Sequence, residues 1–287
     1  MENLCNICPN SCNADRISKN GRCLVGKNLK IAKYSPFYYE EPLISGNKGS
    51  GAIFFCGCPL QCAFCQNYPV SRNLTGKEIS DKEFIEICEE LKKTGVHNLN
   101  LVNPTHYFEI LEKIFSSYKP EIPIISNTSG YEKVETVRKT NSFIDVYLTD
   151  LKFFSPKRAE RYCGKKDYFE ITAKAVNEMV KAKPLIIENG LIKQGVIVRH
   201  LVLPQNVDET FKILDWFKDN IGDNAYFSLM TQYIPFGNLQ NKNELKRVLT
   251  KNEILRAEEK LFSLNLKNCF IQERESADKK YVPEWDF

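Results

Sequence analysis

A chain of 287 residues is long enough for one large domain with a full core and a small appendage. Its 43% hydrophobic and 26% charged residues are those of a soluble globular protein, which excludes a low-complexity chain. A net charge of +4, with Lys and Arg scattered among nearly as many acids, gives no basic or aromatic stripe of the kind nucleic acid requires. No apolar run approaches the roughly 18 residues of a membrane span. The opening "MENLCNICPN" has neither the basic start nor the apolar stretch of a secretion signal, so the expected location is the cytoplasm, with no membrane partner.

In that compartment, eleven cysteines point to metal, redox or catalytic chemistry rather than to a disulfide framework. Eight of them fall in the first 65 residues. Cys5, Cys8 and Cys12 in "CNICPNSC", with Cys23 in "NGRC", put four thiols in a short segment with little else to form a core, which predicts a metal holding it together. Sulfur ligation suits either zinc or an iron–sulfur cluster, and the spacing leaves both open.

After residue 50 the chain alternates β-like runs with helical patterns. Strands are predicted at 51–55, 99–102, 122–126, 144–151, 195–203 and 225–233. Helices are predicted over 80–95, 107–118, 130–140, 168–183, 207–220 and 241–265. Ser80 and Glu83 have the spacing of a capping box, and Gly95 fits a helix stop. Such alternation, with Ile-, Val- and Leu-rich strands, predicts an α/β fold: a partial (β/α)6 TIM-like barrel of parallel strands with a small N-terminal cysteine-rich metal-binding segment. The division expected is 1–50 for the cysteine-rich segment, 51–265 for the barrel and 266–287 for a C-terminal strand and tail. The aromatic tail "YVPEWDF" is placed to fold back over an opening. Cys88, Cys163 and Cys269 read as packed small hydrophobes, with Cys163 the more exposed.

The stretch "IFFCGCPLQCAFCQN" follows the first predicted strand, at the end of the strand where barrels place their chemistry. Cys56, on the face of Phe54 by alternation, reads as a packing residue. Cys58, Cys62 and Cys65 remain as a triplet. A structural zinc site takes four protein ligands, whereas three thiolates on a four-iron cluster leave one iron open to bind a cofactor or substrate. A zinc site or buried thiols are the plainer alternatives.

The loop resembles the CxxxCxxC signature of the radical S-adenosylmethionine (SAM) superfamily. With "CQN", "NPTHY", "DLKFF", "RHLVLP" and "MTQYIP", most of the chain is similar to the uncharacterised branch related to the pyruvate formate-lyase activating enzyme. The resemblance implies a [4Fe–4S] cluster on Cys58, Cys62 and Cys65 whose open iron chelates SAM, and reductive cleavage of SAM to a 5′-deoxyadenosyl radical that abstracts hydrogen. It implies that Phe64 meets the adenine, and that Gln66 and Asn67 support cluster or SAM. Asn103, Thr105 and His106 stand where relatives carry a Gly-Gly-Glu run for the SAM amino group. Asn127 and Thr128 match a region near the ribose or methionine, with Asn127 replacing a carboxylate. Lys152 would meet the SAM carboxylate and Asp150 orient it. Arg199 and His200 leave the fifth strand on opposite faces, so at most one of them can point inward at a given height. Gln232 replaces a histidine of the sixth strand.

The activity implied is that of a radical SAM oxidoreductase, similar to the pyruvate formate-lyase activating enzyme, acting on a glycine of a partner enzyme. Modification of an unidentified peptide or small molecule is the alternative. A low-potential donor such as flavodoxin or ferredoxin would supply electrons. Two readings from other classes are a noncatalytic iron–sulfur electron carrier, which needs no SAM pocket, and a zinc-bearing RNA-binding module.

Overall fold

The structure, a computed structural model, describes residues 4–72 and 74–272. The described strands are β1 (Leu29–Phe37), β2 (Ser50–Phe55), β3 (Lys77–Ile79), β4 (Leu99–Val102), β5 (Ile124–Thr128), β6 (Val146–Asp150), β7 (Ile186–Glu188), β8 (Leu191–Leu201), β9 (Tyr226–Met230) and β10 (Cys269–Gln272). The described helices are α1 (Pro42–Ser45), α2 (Tyr68–Ser71), α3 (Asp81–Lys93), α4 (Phe108–Ser117), α5 (Val134–Thr140), α6 (Pro156–Cys163), α7 (Tyr168–Ala182), α8 (Val207–Asn220) and α9 (Lys251–Ser263). The "YVPEWDF" tail lies outside the described residues.

One sheet runs in the order β10-β9-β8-β6-β5-β4-β2-β1-β3, with β7 on β8. Every pair from β2 through β10 along this path is parallel, as the alternation predicts. The six expected strands are β2, β4, β5, β6, β8 and β9, joined by crossover helices into a partial barrel. Strand alternation sorts the core into two layers. Ile53, Phe55, Leu99, Leu101, Val196 and Val198 face outward, in the same buried cluster as Phe84, Leu111, Val137 and Ile213 of the helices. Ile125, Val146, Leu148 and Ile197 face inward around Ile44 of α1. Full burial of each such side chain contributes roughly 1.5–3 kcal/mol. Asn98, just ahead of β4, donates to the Ile44 carbonyl at 2.9 Å, so α1 plugs the barrel at the N-terminal ends of its strands.

The structure differs from expectation in several places, and β3, β7, α1, α2 and α6 are additions to the predicted elements. Residues 1–50 do not stand wholly outside the alternation, because β1 pairs antiparallel with β2. Its Pro36 falls where β3 no longer covers it, an edge position that proline tolerates. The last helix begins at Lys251 rather than at 241, because Thr250 caps it. Cys163 is buried, its thiol donating to the Ala159 carbonyl at 3.0 Å, so it is not the exposed one. Cys88 is buried as expected, and the Ser80–Glu83 capping box forms. Among the described residues no helix is long and apolar enough to cross a membrane.

Candidate active site

β2 ends at Phe55 and delivers the cysteine loop to the C-terminal mouth of the barrel. Gly57 makes the turn at φ +83°, and a Cβ there would stand 2.5 Å from the Cys23 carbonyl oxygen, so only glycine lets the N-terminal segment approach. Cys56 turns away from the face of Phe54. It sits in the outer core with Phe55 and donates to the Thr75 carbonyl at 3.3 Å. Cys58, Cys62 and Cys65 line one cavity of about 860 Å³. The Gln61 amide donates to Cys58 Sγ and the Ser71 hydroxyl of α2 to Cys65 Sγ, both at 3.5 Å. The middle of the loop is fixed by the Ala63 amide on the Tyr162 carbonyl at 2.8 Å.

Burial pushes the Cys58 thiol up to about 11 and raises Cys65; it lifts Cys62 further, against the pull of the Lys152 ammonium. Two buried thiols and a half-buried third, each raised in this way, give up their protons most readily to a cation, which is the donor chemistry of a metal centre. Among the described residues no group of three or more His, Cys, Asp or Glu side chains already stands in metal-holding geometry. The fit of the thiols therefore rests on their common wall and their chemistry.

The opposite wall is a half-buried polar network. Arg199 points inward from β8, donating from Nε to Asp150 Oδ1 at 2.9 Å, from one terminal nitrogen to Asn127 Oδ1 at 2.6 Å and from the other to Glu40 Oε2 at 3.3 Å. Lys152 Nζ pairs with the second oxygen of Asp150. Burial alone would raise Asp150, but Arg199 and then Lys152 outweigh it and hold the carboxyl below its ordinary range. The Lys152 ammonium, which burial would weaken, is strengthened by the same carboxylate. His200 faces outward, bonded to the Leu151 carbonyl and the Thr210 hydroxyl.

Of the other residues singled out in the sequence, Phe64, Gln66, Asn67, Asn103, Asn127, Thr128 and Gln232 also line the cavity. Phe64 sits edge-on to Phe153, Tyr162 and Tyr233, with ring centroids 6.0–6.4 Å apart. Asn103 adopts φ +61°, a conformation Asn tolerates better than most residues, and its side chain donates to the Gly57 carbonyl. Gln232 donates to Gln272, while its own buried Oε1 has no partner. Thr105 does not line the cavity: fully buried, its hydroxyl donates to Glu132 Oε1 at 2.5 Å. His106 is likewise buried on the Cys56 carbonyl at 2.7 Å and faces no substrate.

Sequence reasoning missed Glu40. Largely enclosed on the cavity wall, its Oε1 accepts from Asn100 at 3.0 Å and Asn127 at 3.1 Å, and it reaches the barrel from the strand-to-plug connection. Burial raises its carboxyl to about 7, against the attraction of Arg199. Its "YYEEP" setting carries no motif; only the rarity of a charged residue among aromatics marks it.

The N-terminal thiols sit beside this loop. Gly21 provides a side-chain-free space between two of them, since a Cβ there would lie 3.2 Å from Cys23 Sγ and 3.6 Å from Cys12 Sγ. Cys8 is buried and Cys5 half-buried. Arg16 clamps the segment to the barrel through the His106 carbonyl, while its other terminal nitrogen closes the segment on its own Gly26 carbonyl.

A cysteine triplet at the mouth of a partial βα barrel, facing a buried Asp–Lys–Arg network, defines a class. Residues 52–217 match the radical SAM superfamily model, and the chain belongs to that superfamily. It is 32% identical over 272 residues to the uncharacterized protein MJ0674 of Methanocaldococcus jannaschii, covering 91% of this chain and 75% of that one. Its fold is similar to SuiB of Streptococcus suis, with a TM-score of 0.54 at 16% identity over 77% of this chain and 49% of SuiB. SuiB bound to S-adenosylmethionine matches with a TM-score of 0.55 and 16% identity, over 78% of this chain and 50% of that one. The chain thus spans about half the length of SuiB, and the likeness is one of fold. Membership of the radical SAM superfamily implies a [4Fe–4S] cluster and SAM as cofactors.

Proposed function

We propose that Cys58, Cys62 and Cys65 hold the [4Fe–4S] cluster, and that SAM lies between this loop and the Asp150–Lys152–Arg199–Asn127 wall. The single observation that carries this reading is the common cavity joining the three thiols to that wall. Lys152, held charged by Asp150, would bind the SAM carboxylate, and Arg199 would fix Asp150 and Asn127 in place. Asn103, Thr128 and Gln66 supply further polar contacts, and Phe64 an aromatic edge for the adenine. The unpartnered Oε1 of Gln232 is an acceptor suited to the adenine amino group. Thr105 acts through Glu132 and Thr128 rather than on the cofactor. When bound, cluster and SAM supply a 5′-deoxyadenosyl radical for hydrogen abstraction.

The finer reading is a glycyl-radical activase, taking hydrogen from a glycine of a partner enzyme in the cytoplasm and drawing electrons from a flavodoxin or ferredoxin. What supports it is the motif resemblance along the chain. Another peptide is the second substrate reading, favoured by the SuiB fold likeness, since one SuiB structure is bound to its precursor peptide SuiA. A cavity of this size beside the triplet speaks against a purely electron-carrying role. The three-part organisation, 1–50, 51–265 and 266–287, belongs to the same proposal, with β1 lent by the first part to the barrel sheet.

The test is anaerobic reconstitution with iron and sulfide, reduction, and assay for 5′-deoxyadenosine from SAM. Cleavage is expected; its absence from cluster-loaded protein would sink the reading. Cys62→Ala should lose the cluster and turnover together. Deuterium transfer into deoxyadenosine from labelled glycyl peptides then separates the substrate readings.

A further inference from the structure

Gln232 stands at one end of a chain of hydrogen-bonded side chains whose other end lies outside the cavity. Its amide nitrogen donates to Gln272 Oε1, and Gln272 Nε2 donates to Glu41 Oε1 at 3.4 Å. Gln232 and Gln272 line the cavity, whereas Glu41 is fully buried outside its lining. The links are anchored in the backbone. The Glu41 carbonyl accepts the Ile44 and Ser45 amides at 2.8 and 3.0 Å, which pins Glu41 to the start of α1. Gln272 closes β10, and the hydroxyl of Thr231, next to Gln232, donates to its carbonyl at 3.0 Å.

A glutamine amide can be turned either way, so its partners decide which atom faces which. A carboxylate has no proton to give and only accepts. Glu41 therefore draws the nitrogen of Gln272 toward itself, which leaves Gln272 Oε1 facing Gln232. Gln232 answers with its nitrogen, and its oxygen is left over, buried without a partner among the described residues. A neutral glutamine at position 41 would fill the same space but fix no direction, because it donates as readily as it accepts.

Holding a carboxylate here is costly, since Glu41 Oε2 is also buried with no donor among the described residues. Burial weakens the Arg199 cation, while Asp150, Glu41 and Glu40, in that order, strengthen it, so the Glu41 charge stands within reach of a compensating guanidinium. What the charge supplies that an amide would not is the direction of the chain.

We infer that Glu41 is a positioning residue that sets base specificity, turning the Gln232 oxygen through Gln272 so that the site takes a purine with an exocyclic amino group and refuses one with a carbonyl in its place. The inference rests on the reading of this cavity as the SAM site. Adenine offers a donor to that oxygen, whereas hypoxanthine sets oxygen against oxygen and leaves a buried acceptor unpaired.

The experiment titrates the full chain, cluster-loaded and kept oxidised so that nothing is turned over, with S-adenosylhomocysteine and with S-inosylhomocysteine. Binding is read by calorimetry. Wild type should bind the adenosyl ligand at least about tenfold more tightly than the inosyl one. Glu41→Gln should bring the two affinities within about threefold of each other. The exchange Glu41→Gln/Gln272→Glu moves the acceptor-only group next to Gln232 and should restore the wild-type ratio, which a merely structural role for Glu41 would not do. If Glu41→Gln does not fold, Gln272→Leu breaks the chain at its middle and should collapse the ratio in the same way. Equal affinities in wild type, an unchanged ratio in either single variant, or no restoration in the exchange overturns the inference while leaving the SAM reading intact. Wild type that binds neither ligand would instead refute the SAM reading, and the inference with it.

Discussion

Glu132 is a buried carboxyl group with one busy oxygen. Its Oε1 accepts from the Thr105 and Thr128 hydroxyls, its Oε2 is buried without a partner, and burial raises it from about 4.5 to about 7 despite those two donors. The ionisable groups it faces, Cys8 from the N-terminal segment and Tyr147 from β6, are both pushed upward and stay neutral through this range. The folded state therefore keeps a proton that the unfolded chain releases. Stability from this residue is greatest below about pH 4.5 and falls as pH rises through 7, by on the order of 3 kcal/mol. Glu132→Gln, measured by urea unfolding of the metal-free chain between pH 5 and 8, should reduce that slope. Glu40, raised to about the same value, should keep it from vanishing. Asp150→Asn is the opposite case: it strands Lys152 and Arg199 beside a neutral amide and should destabilise by about 3–5 kcal/mol. A loss under 1 kcal/mol in the same assay would mean that solvent reaches the network. At this scale the sequence disclosed what spacing encodes, the triplet, and what alternation encodes, that Arg199 and His200 face opposite ways; that Arg199 is the inward one came from the structure. The sequence hid Glu40 because its partners Asn100, Asn127 and Arg199 lie 60, 87 and 159 residues away.

Helix starts were legible wherever a cap was read before the hydrophobic pattern. α3 begins at the expected box, with Glu83 N on Ser80 Oγ at 3.2 Å and Ser80 N on Glu83 Oε2 at 2.8 Å. α9 has the same signature in Thr250 and Glu253, yet its start is masked by the charged run from residue 241, whose pattern looks helical. The two boxes differ in what hangs on them. Glu83 is half-buried and takes only Lys77 besides its cap, whereas Glu253 also takes both terminal nitrogens of Arg247, at 2.7 and 2.9 Å, and the Gln205 amide at 2.7 Å. Ser80→Ala and Thr250→Ala should each cost about 1 kcal/mol. Glu253→Ala should cost more than either, since it frees a cap, a guanidinium and a loop amide together. Equal losses in thermal unfolding would show that the Arg247 pair contributes nothing. β1 escaped for a different reason: charged Lys30 and Lys33 and an internal proline blur its alternation, and an edge-like strand tolerates all three.

Across the whole molecule, the parallel sheet and the cysteine-bearing parts draw on different sources of order. β4, β5 and β6 are bonded to one another and sandwiched between the plug cluster around Ile44 and the outer helices, with no thiol in their pairing. Residues 4–28 and the 56–67 loop instead lean on each other, through Cys58 on Cys23, Asn10 on Pro59 and Gln61 on the Arg22 carbonyl. This is why the barrel was legible in hydrophobic periodicity while the docking of the segment was not: periodicity reports burial against a sheet, and the docking is made of single hydrogen bonds between distant loops. Chelating the metal from loaded protein should therefore act locally. Hydrogen–deuterium exchange is expected to rise in 4–28 and 56–67, the stretches whose thiols lose their cation, and to change little in 99–102, 124–128 and 146–150. A uniform rise would mean that the metal centres are part of the global core and that the barrel does not stand without them. Exchange confined to 4–28 would separate the two loops energetically. The hydrogen bonds joining them argue against that, because releasing one carbonyl of the pair exposes the amide of the other.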